Sequence, residues 1–335
     1  MTMTSIGDLA RAFVLKRQNA VLKSDLNTLT AEIASGRTQN VARHLAGDYS
    51  YLSDIERSLR VVQGYGTATN EAVLFTDAMQ QVLETVQKTT QDLSADLLAA
   101  GNAPGPAIRD SVAKSAAERF ATVVSSLNTS IAGRGLFGGV ATDGPALAPG
   151  ERILDALRPA VASVGNPADF LAVIDAWFAP GGGFDTAAYQ GAATSLAPFR
   201  VGADTAIHLD LRADDPRLRS VMAQFAAAAL STDPSTGLNT ADVAALQHQL
   251  AERVLSDSDR LTGLRSDLGF AQSRLEEASS RLSAERTALD YARGSLLSVD
   301  PYDSATRLEE TEFRLESLYA VTARLSRLSL MEYLR

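Results

Sequence analysis

An uninterrupted heptad of apolar residues runs through the C-terminal third of the chain. Val254 and six leucines lie seven residues apart, and a weaker seam follows each of them three residues later. A 3-4 alternation over this many heptads predicts a long helix whose apolar stripe packs against other helices. The leucines of this predicted coiled-coil rod are Leu261, Leu268, Leu275, Leu282, Leu289 and Leu296.

The residues of the weaker seam indicate whether the rod pairs with a single helix or packs in a larger bundle. Its alanines, among them Ala271 and Ala278, predict that a neighbouring helix approaches closely. Its polar members, Asp257 and Glu285, argue against a simple two-stranded leucine zipper. A broader helical bundle is therefore favoured.

A shorter leucine stripe occupies the N-terminal segment, and its helix is predicted to stop at Ser35-Gly36. A final helix is predicted from about residue 304 to 334, after the break at Asp300-Pro301. These two terminal helices are expected to form an assembly interface. Its predicted members are Leu15, Leu22, Leu26, Leu29, Ile33, Leu315, Leu318, Leu325, Leu328, Leu330 and Leu334.

Proline is confined almost entirely to the middle of the sequence. None precedes Pro104, and Pro301 alone follows Pro234. Because proline inside a helix removes a hydrogen bond and clashes with the preceding turn, both ends are predicted to be long helices. Two more helices are predicted at about 48–100 and 108–131.

The region from about 133 to 234 differs in character, because turn-forming dipeptides alternate with short apolar runs. Alternating residues on either side of Gly202-Ala203-Asp204 predict a β-hairpin. Gly181-Gly182-Gly183 is predicted to be a flexible loop. Helices are predicted at about 152–163, 168–178 and 217–230.

The resulting fold prediction is mainly α: a long antiparallel helical bundle or coiled coil built from the N- and C-terminal segments, with a small mixed α/β insert and β-hairpins. Three domains are expected. They are a terminal helical assembly domain (1–40 and 301–335), a helical rod domain (41–150 and 240–300) and an outward-facing insert (151–239).

Composition excludes several classes of function. The net charge of -9 argues against nucleic acid as a partner, and the absence of cysteine rules out disulfides, thiolate zinc sites and cysteine nucleophiles. No run of about 18 apolar residues predicts a membrane span, and no cleavable secretion signal is visible at the start. Composition alone would therefore place the chain in the cytoplasm.

No motif predicts catalysis, a metal or a cofactor. Residues 133–138 match G-x-G-x-x-G, but a predicted helix precedes them where a dinucleotide loop requires a strand. Turns around a short strand pair explain the glycines better. His44, His208 and His248 have no ligand-type spacing. We therefore expect a protein that is not an enzyme.

Several segments resemble the flagellin superfamily. Residues 26–37 are similar to its N-terminal helix ending in Ser-Gly-Lys/Arg, and 133–139 resemble its Gly-Arg-aromatic-x-Phe-x-Gly turn, with Gly135 where an aromatic is usual. The ending 325–334 is more similar to hook-associated members than to filament flagellins. Residues 41–48 depart from the acidic segment that the family commonly has there.

This resemblance implies an extracellular structural component at the junction of the flagellar hook and filament. It implies type III export without a cleaved signal, polymerisation through the terminal helices, and no cofactor. The implied partners are further copies in a ring or tier, a neighbouring hook-associated protein, flagellin and an export chaperone. A filament flagellin is the alternative, and a cytoplasmic coiled-coil scaffold is a more remote one.

Overall fold

The computed structural model describes residues 6–103 and 105–333. It is 73% helical and 4% strand, which confirms the predicted mainly α fold with small β-hairpins. The α-helices of the described residues are α1 (Ile6–Ser35), α2 (Val41–His44), α3 (Ser50–Gly101), α4 (Pro106–Leu127), α5 (Gly150–Leu157), α6 (Pro167–Phe178), α7 (Pro216–Leu230), α8 (Thr240–Leu296) and α9 (Pro301–Tyr333).

Two short antiparallel hairpins interrupt the helices. In the first, β1 (Ser130–Ile131) pairs with β2 (Arg134–Gly135), and in the second, β3 (Phe199–Arg200) pairs with β4 (Ala206–Ile207). The second hairpin confirms the prediction made from the alternating residues around positions 202–204. A π-helical turn at Phe184–Ala188 and a 3₁₀ turn at Pro234–Thr236 complete the elements.

The chain divides into two compact units. The terminal unit comprises Met1–Gln63 and Ser283–Arg335, and the central unit comprises Gly64–Leu282. Both boundaries fall inside long helices, α3 and α8. The expected division into three domains stays a prediction.

The predicted helix ends at both termini have local causes. α1 stops at Ser35 because Gly36 has a φ of +66°, a left-handed conformation that ends helices. α9 begins at Pro301, and Asp300 caps it: the Asp300 carboxylate accepts a 2.8 Å hydrogen bond from the Tyr302 backbone N–H. Both breaks were therefore recognisable from glycine, proline and aspartate alone.

The hydrophobic core lies in the central unit. α7 is at its centre, and every residue from 221 to 228 is buried. Seven of these eight residues are apolar, Gln224 being the exception, and such a helix belongs in an interior. The four alanines at 226–229 allow neighbouring helices to approach. Five fully buried aromatic side chains fill the space around it: Phe120, Phe137, Phe170, Phe184 and Phe225.

Three predicted elements differ in the structure. The helix predicted over 108–131 ends at Leu127, because residues 130 and 131 form β1, and the one predicted over 152–163 ends at Leu157. The three glycines at 181–183 form a packed turn rather than an open loop. A Cβ on Gly182 would lie 2.5 Å from the Trp177 carbonyl oxygen, and one on Gly183 would meet the Trp177 ring.

The heptad leucines of α8 that belong to the central unit are buried. Leu261 and Leu275 are fully buried, and Leu268 and Leu282 are each 6% exposed. Beside this seam, polar side chains connect α8 to α3 by hydrogen bonds. The Arg265 guanidinium donates to Gln87 Oε1 (2.7 Å). Further bonds join Gln80 Nε2 to the Arg265 carbonyl (2.9 Å) and Gln272 Nε2 to Asp77 Oδ1 (2.7 Å).

The polar residue Asp257 lies within the buried part of the weaker seam. It is 1% exposed, its carboxylate accepts a 2.8 Å hydrogen bond from the Ser220 hydroxyl of α7, and Arg260 donates to it at 3.0 Å. Burial raises the pKa of Asp257, while the bonds from Ser220 and Arg260 partly oppose that rise. Glu285, the other polar member, is exposed.

We predict that Asp257→Asn stabilises the protein at pH 7. Because the pKa of Asp257 is raised in the folded state, the ionised carboxylate opposes folding, and its effect disappears as pH falls through that pKa towards 3.8. Urea midpoints should show the variant above the parent at pH 7 and the two converging near pH 4. Asp259→Asn, an exposed neighbour on α8, is the control and should track the parent. A variant less stable at pH 7 would contradict the prediction.

Candidate assembly surface

α1 and α9 pair antiparallel in the terminal unit. An isolated antiparallel bridge joins Arg37 to Ser298 just beyond the end of α1 and before the start of α9. Its hydrogen bonds run from Thr38 N to the Leu297 carbonyl (2.9 Å) and from Val299 N to the Gly36 carbonyl (3.1 Å). The pair is therefore fixed by main-chain bonds at one end.

The segment after α1 is also tied down by side chains. Glu32 Oε1 accepts hydrogen bonds from the Thr38 hydroxyl (3.1 Å) and the Gln39 backbone N–H (2.9 Å). His44 Nε2 lies 3.0 Å from the Leu296 carbonyl oxygen, in the last turn of α8. His44 thus satisfies a helix-end carbonyl that has no partner within the helix.

The predicted interface residues whose side chains the structure describes are only partly covered. Ile33 is 38% exposed and Leu325 41% exposed. The side chains of Leu328 and Leu330, and the whole of Leu334, lie outside the part of the chain that the structure describes. The remaining predicted members are half-buried: Leu15, Leu22, Leu26, Leu29, Leu315 and Leu318.

The terminal helices have no interior of their own. Among the described side chains of α1 and α9, no apolar one is buried, and the buried positions are the polar Ser304 and Thr311. In the central unit, by contrast, Leu275 of the α8 seam is fully buried. Two helices alone cannot enclose a leucine stripe, so this pair keeps apolar surface that a further partner can cover.

An open apolar groove of about 730 Å³ runs along one side of the pair. Val14, Val21 and Val321 on its walls are 52%, 51% and 50% exposed. Phe13 is 68% exposed, and such a contiguous apolar patch on a surface is typical of an interaction site. The groove is lined by Phe13, Val14, Leu15, Arg17, Gln18, Val21, Leu22, Arg314, Ser317, Leu318 and Val321.

The heptad pattern predicted Leu15 and Leu22 among the groove residues of α1 but missed Phe13, Val14 and Val21. A heptad pattern selects one stripe, and Val14 and Val21 each lie one position before a leucine of that stripe. The paired signal, Val14-Leu15 and Val21-Leu22 seven residues apart, could have revealed a second apolar face on the same helix. Val321, three residues after Leu318, belongs to the matching face of α9.

The glycine-rich residues 133–138 form no phosphate loop. They follow α4, and the first of them, Gly133, belongs to the hairpin turn between β1 and β2. The two residues of that turn, Ala132 and Gly133, both have positive φ (51° and 78°). Two such residues are what a tight two-residue hairpin turn requires. The Arg134 guanidinium then lies 5.1 Å from the Phe75 ring centre and pairs with Glu71. The predicted strand pair is thus confirmed.

The histidines occupy unrelated places. His44 bonds to the Leu296 carbonyl, His248 Nε2 lies 3.1 Å from Asn102 Oδ1, and His208 is exposed. Within residues 6–103 and 105–333, no three His, Cys, Asp or Glu side chains are grouped as metal ligands. No helix in that same part of the chain has the length and apolarity to cross a membrane.

One family model matches the C-terminal part of the chain. Residues 252–334 match the model of the bacterial flagellin C-terminal helical region. No curated protein sequence gave a significant match. The matched segment comprises most of α8 and the whole of α9, so it carries the entire rod heptad as well as one helix of the groove.

Solved structures share the fold. FlgL of Bacillus cereus superposes with a TM-score of 0.51 at 15% identity, over 72% of this chain and 100% of that one. A protein of Vibrio parahaemolyticus, assigned as a flagellar hook-associated protein, gives 0.50 at 15% identity, over 73% and 95%. The family match over residues 252–334 is a likeness to the flagellin superfamily, and the fold is similar to that of FlgL.

We predict that amide hydrogen exchange is faster in the terminal helices than in the central unit of the unassembled chain. Amides of α1 and α9 are expected to exchange on the order of a hundredfold faster than those of α4 and α7, because half-buried helices open locally without global unfolding. Mass spectrometry of peptides from each helix provides the measurement. Terminal helices as protected as α7 in the isolated chain would contradict this expectation.

Proposed function

We propose that the chain is a structural subunit of the bacterial flagellum, located at the junction of hook and filament. The observation that carries this proposal is the terminal helix pair without one buried apolar side chain among its described residues. The match of residues 252–334 to the flagellin C-terminal region supports the flagellar setting. The likeness to FlgL supports the hook-associated position.

Assembly would complete the terminal helices. Burying apolar surface contributes roughly 25 cal/mol per Å², and the groove offers several half-exposed valines and a phenylalanine for a neighbouring copy to cover. The predicted interface leucines, from Leu15 to Leu334, would then be covered when copies dock into a ring or tier. A hook-associated protein on one side and flagellin on the other are the further partners we propose.

The three-part domain division belongs to the same proposal. Residues 1–40 and 301–335 would form the assembly domain, 41–150 and 240–300 the rod, and 151–239 the outward insert. We further propose type III export of the unfolded chain, with an export chaperone holding its apolar terminal segments. A chain without cysteine cannot form disulfides during that passage.

A filament flagellin is the second candidate, because the matched family model is that of the flagellin C-terminal helical region. A filament subunit polymerises along the filament in many copies, whereas a junction protein occupies one position. A cytoplasmic coiled-coil scaffold would share the heptads but would never leave the cell. The location of the protein in the flagellum and its export from the cell therefore distinguish the three candidate functions.

Deletion of the coding sequence should leave cells with hooks but no filaments, and flagellin should accumulate in the medium. The reason is that filament subunits would lack their point of attachment. Electron microscopy of the cells and immunoblots of the medium measure both effects. Normal filaments in the deletion strain would exclude the junction function, and finding the protein only in the cytoplasm would favour the scaffold.

A single charge in the groove should block assembly without unfolding the chain. Val21→Lys is expected to change the free energy of unfolding by no more than about 0.5 kcal/mol, because the side chain is half exposed. Burying its ammonium against a neighbouring copy should cost several kcal/mol and reduce incorporation into flagella at least about tenfold. Urea unfolding and immunolabelling are the two measurements.

Val140→Lys is the matched control for that variant, since Val140 is equally exposed (51%) but lies in the central unit. It should assemble like the parent. Equal incorporation of both lysine variants would argue that the groove is not an assembly surface.

A further inference from the structure

A small cavity lies in the central unit, where α4 begins beside the loop that joins α7 to α8. Its volume is about 120 Å³, several times the roughly 30 Å³ that one water molecule occupies in the liquid. The loop contributes the hydroxyl-bearing residues Ser231, Thr232 and Thr236 to its wall. The cavity is therefore polar and has room for a small ion, whereas pockets for drug-sized molecules begin at about 300 Å³.

Arg109 of α4 also lines this cavity, and the residue is only 7% exposed. Its Nη2 donates a 2.6 Å hydrogen bond to the Ala103 carbonyl, but its buried Nε has no hydrogen-bond partner. Among residues 6–103 and 105–333, no carboxylate forms an ion pair with Arg109. Because a charge taken out of water is stabilised only when it is paired, this guanidinium lacks a counterion.

The start of α4 adds a partial positive charge at the same place. Pro106, the first residue of this 22-residue helix, lines the cavity, and no side chain caps the helix at Gly105. The first turn contains no acidic residue. The N-terminus of α4 therefore keeps the positive end of its helix dipole, which favours anions.

Two carboxylates at the cavity leave Arg109 without a counterion. Asp233 pairs with a different arginine, because its Oδ2 accepts a 2.8 Å hydrogen bond from Arg158 Nε. Its Oδ1 accepts a further bond from the Ser235 backbone N–H (2.9 Å). Asp110 is exposed to solvent. The cavity thus combines an unpaired buried guanidinium with an uncapped helix N-terminus.

We propose that this cavity is a binding site for a small oxyanion such as phosphate or sulfate, held by the Arg109 guanidinium and the N-terminus of α4. A planar guanidinium presents its N–H donors in a geometry that matches such oxyanions, and these charge-assisted bonds are strong. The Thr232 hydroxyl would supply a further donor. Binding would neutralise the buried charge of Arg109 and connect α4 to the loop between α7 and α8.

This site is independent of the proposed function. All the residues that line it belong to the central unit, whereas the proposed assembly uses the terminal helices. A failure of anion binding would therefore leave the flagellar proposal untouched, and a failure of the deletion experiment would leave the anion site untouched.

Isothermal titration calorimetry of the full-length chain tests the site, with sodium phosphate and sodium sulfate as separate titrants. Sodium chloride keeps the ionic strength constant, so general charge screening does not change during the titration. Arg109→Gln removes the unpaired charge. Arg119→Gln is the matched control, because Arg119 lies on the same helix but is already paired with Asp96 (2.7 Å).

The parent and Arg119→Gln should bind one phosphate or sulfate ion per chain in a saturable titration. Arg109→Gln should bind at least about tenfold more weakly, as expected for the loss of a hydrogen-bonded charge. Circular dichroism verifies that both variants are folded. The absence of saturable binding of either anion to the parent would overturn the proposal whatever the variants do, and so would equal affinities of the parent and Arg109→Gln.

Discussion

The burial of leucine against neighbouring helices is the interaction on which this protein depends. The heptad of α8 continues with one spacing, yet Leu275 is fully buried in the central unit while Leu289 and Leu296 in the terminal unit are half-buried. The central unit can therefore fold around its own core, with α7 at the centre. The terminal unit retains apolar area that its own helices leave exposed, and in the proposed assembly a neighbouring copy would cover it, which would link folding to assembly.

Polar contacts determine which segments pair with one another, which contacts between leucines alone do not determine. Arg265 and Gln87 align α8 with α3, and Asp257 bonds to Ser220 although its burial carries an electrostatic cost. In the terminal unit, the Arg37–Ser298 bridge fixes one end of the helix pair. Each contact connects segments that are distant in the sequence, so each selects one arrangement among several that would bury similar apolar area.

The sequence predicted the helical elements well because their signals are local. Gly36 and Pro301 mark helix ends by their own backbone preferences, and the heptad identifies the buried stripe of α8. The packed turn at Gly182 could not be predicted, because its tightness depends on Trp177 carbonyl and ring atoms. The groove was predicted only in part, through Leu15, Leu22 and Leu318. Phe13, Val14 and Val21 were missed because the groove that they line is formed together with α9, about three hundred residues away.

The antiparallel pairing of α1 and α9 has a practical consequence for labelling. The bridge at Arg37 and Ser298 holds one end of the pair, so the Ile6 end of α1 and the Tyr333 end of α9 emerge together at the other. A fluorescent protein or affinity tag attached next to Ile6 or next to Tyr333 would crowd that same place. The hairpin turn around Ala203 and Asp204, which are exposed in the central unit, offers an insertion point remote in sequence from both helices.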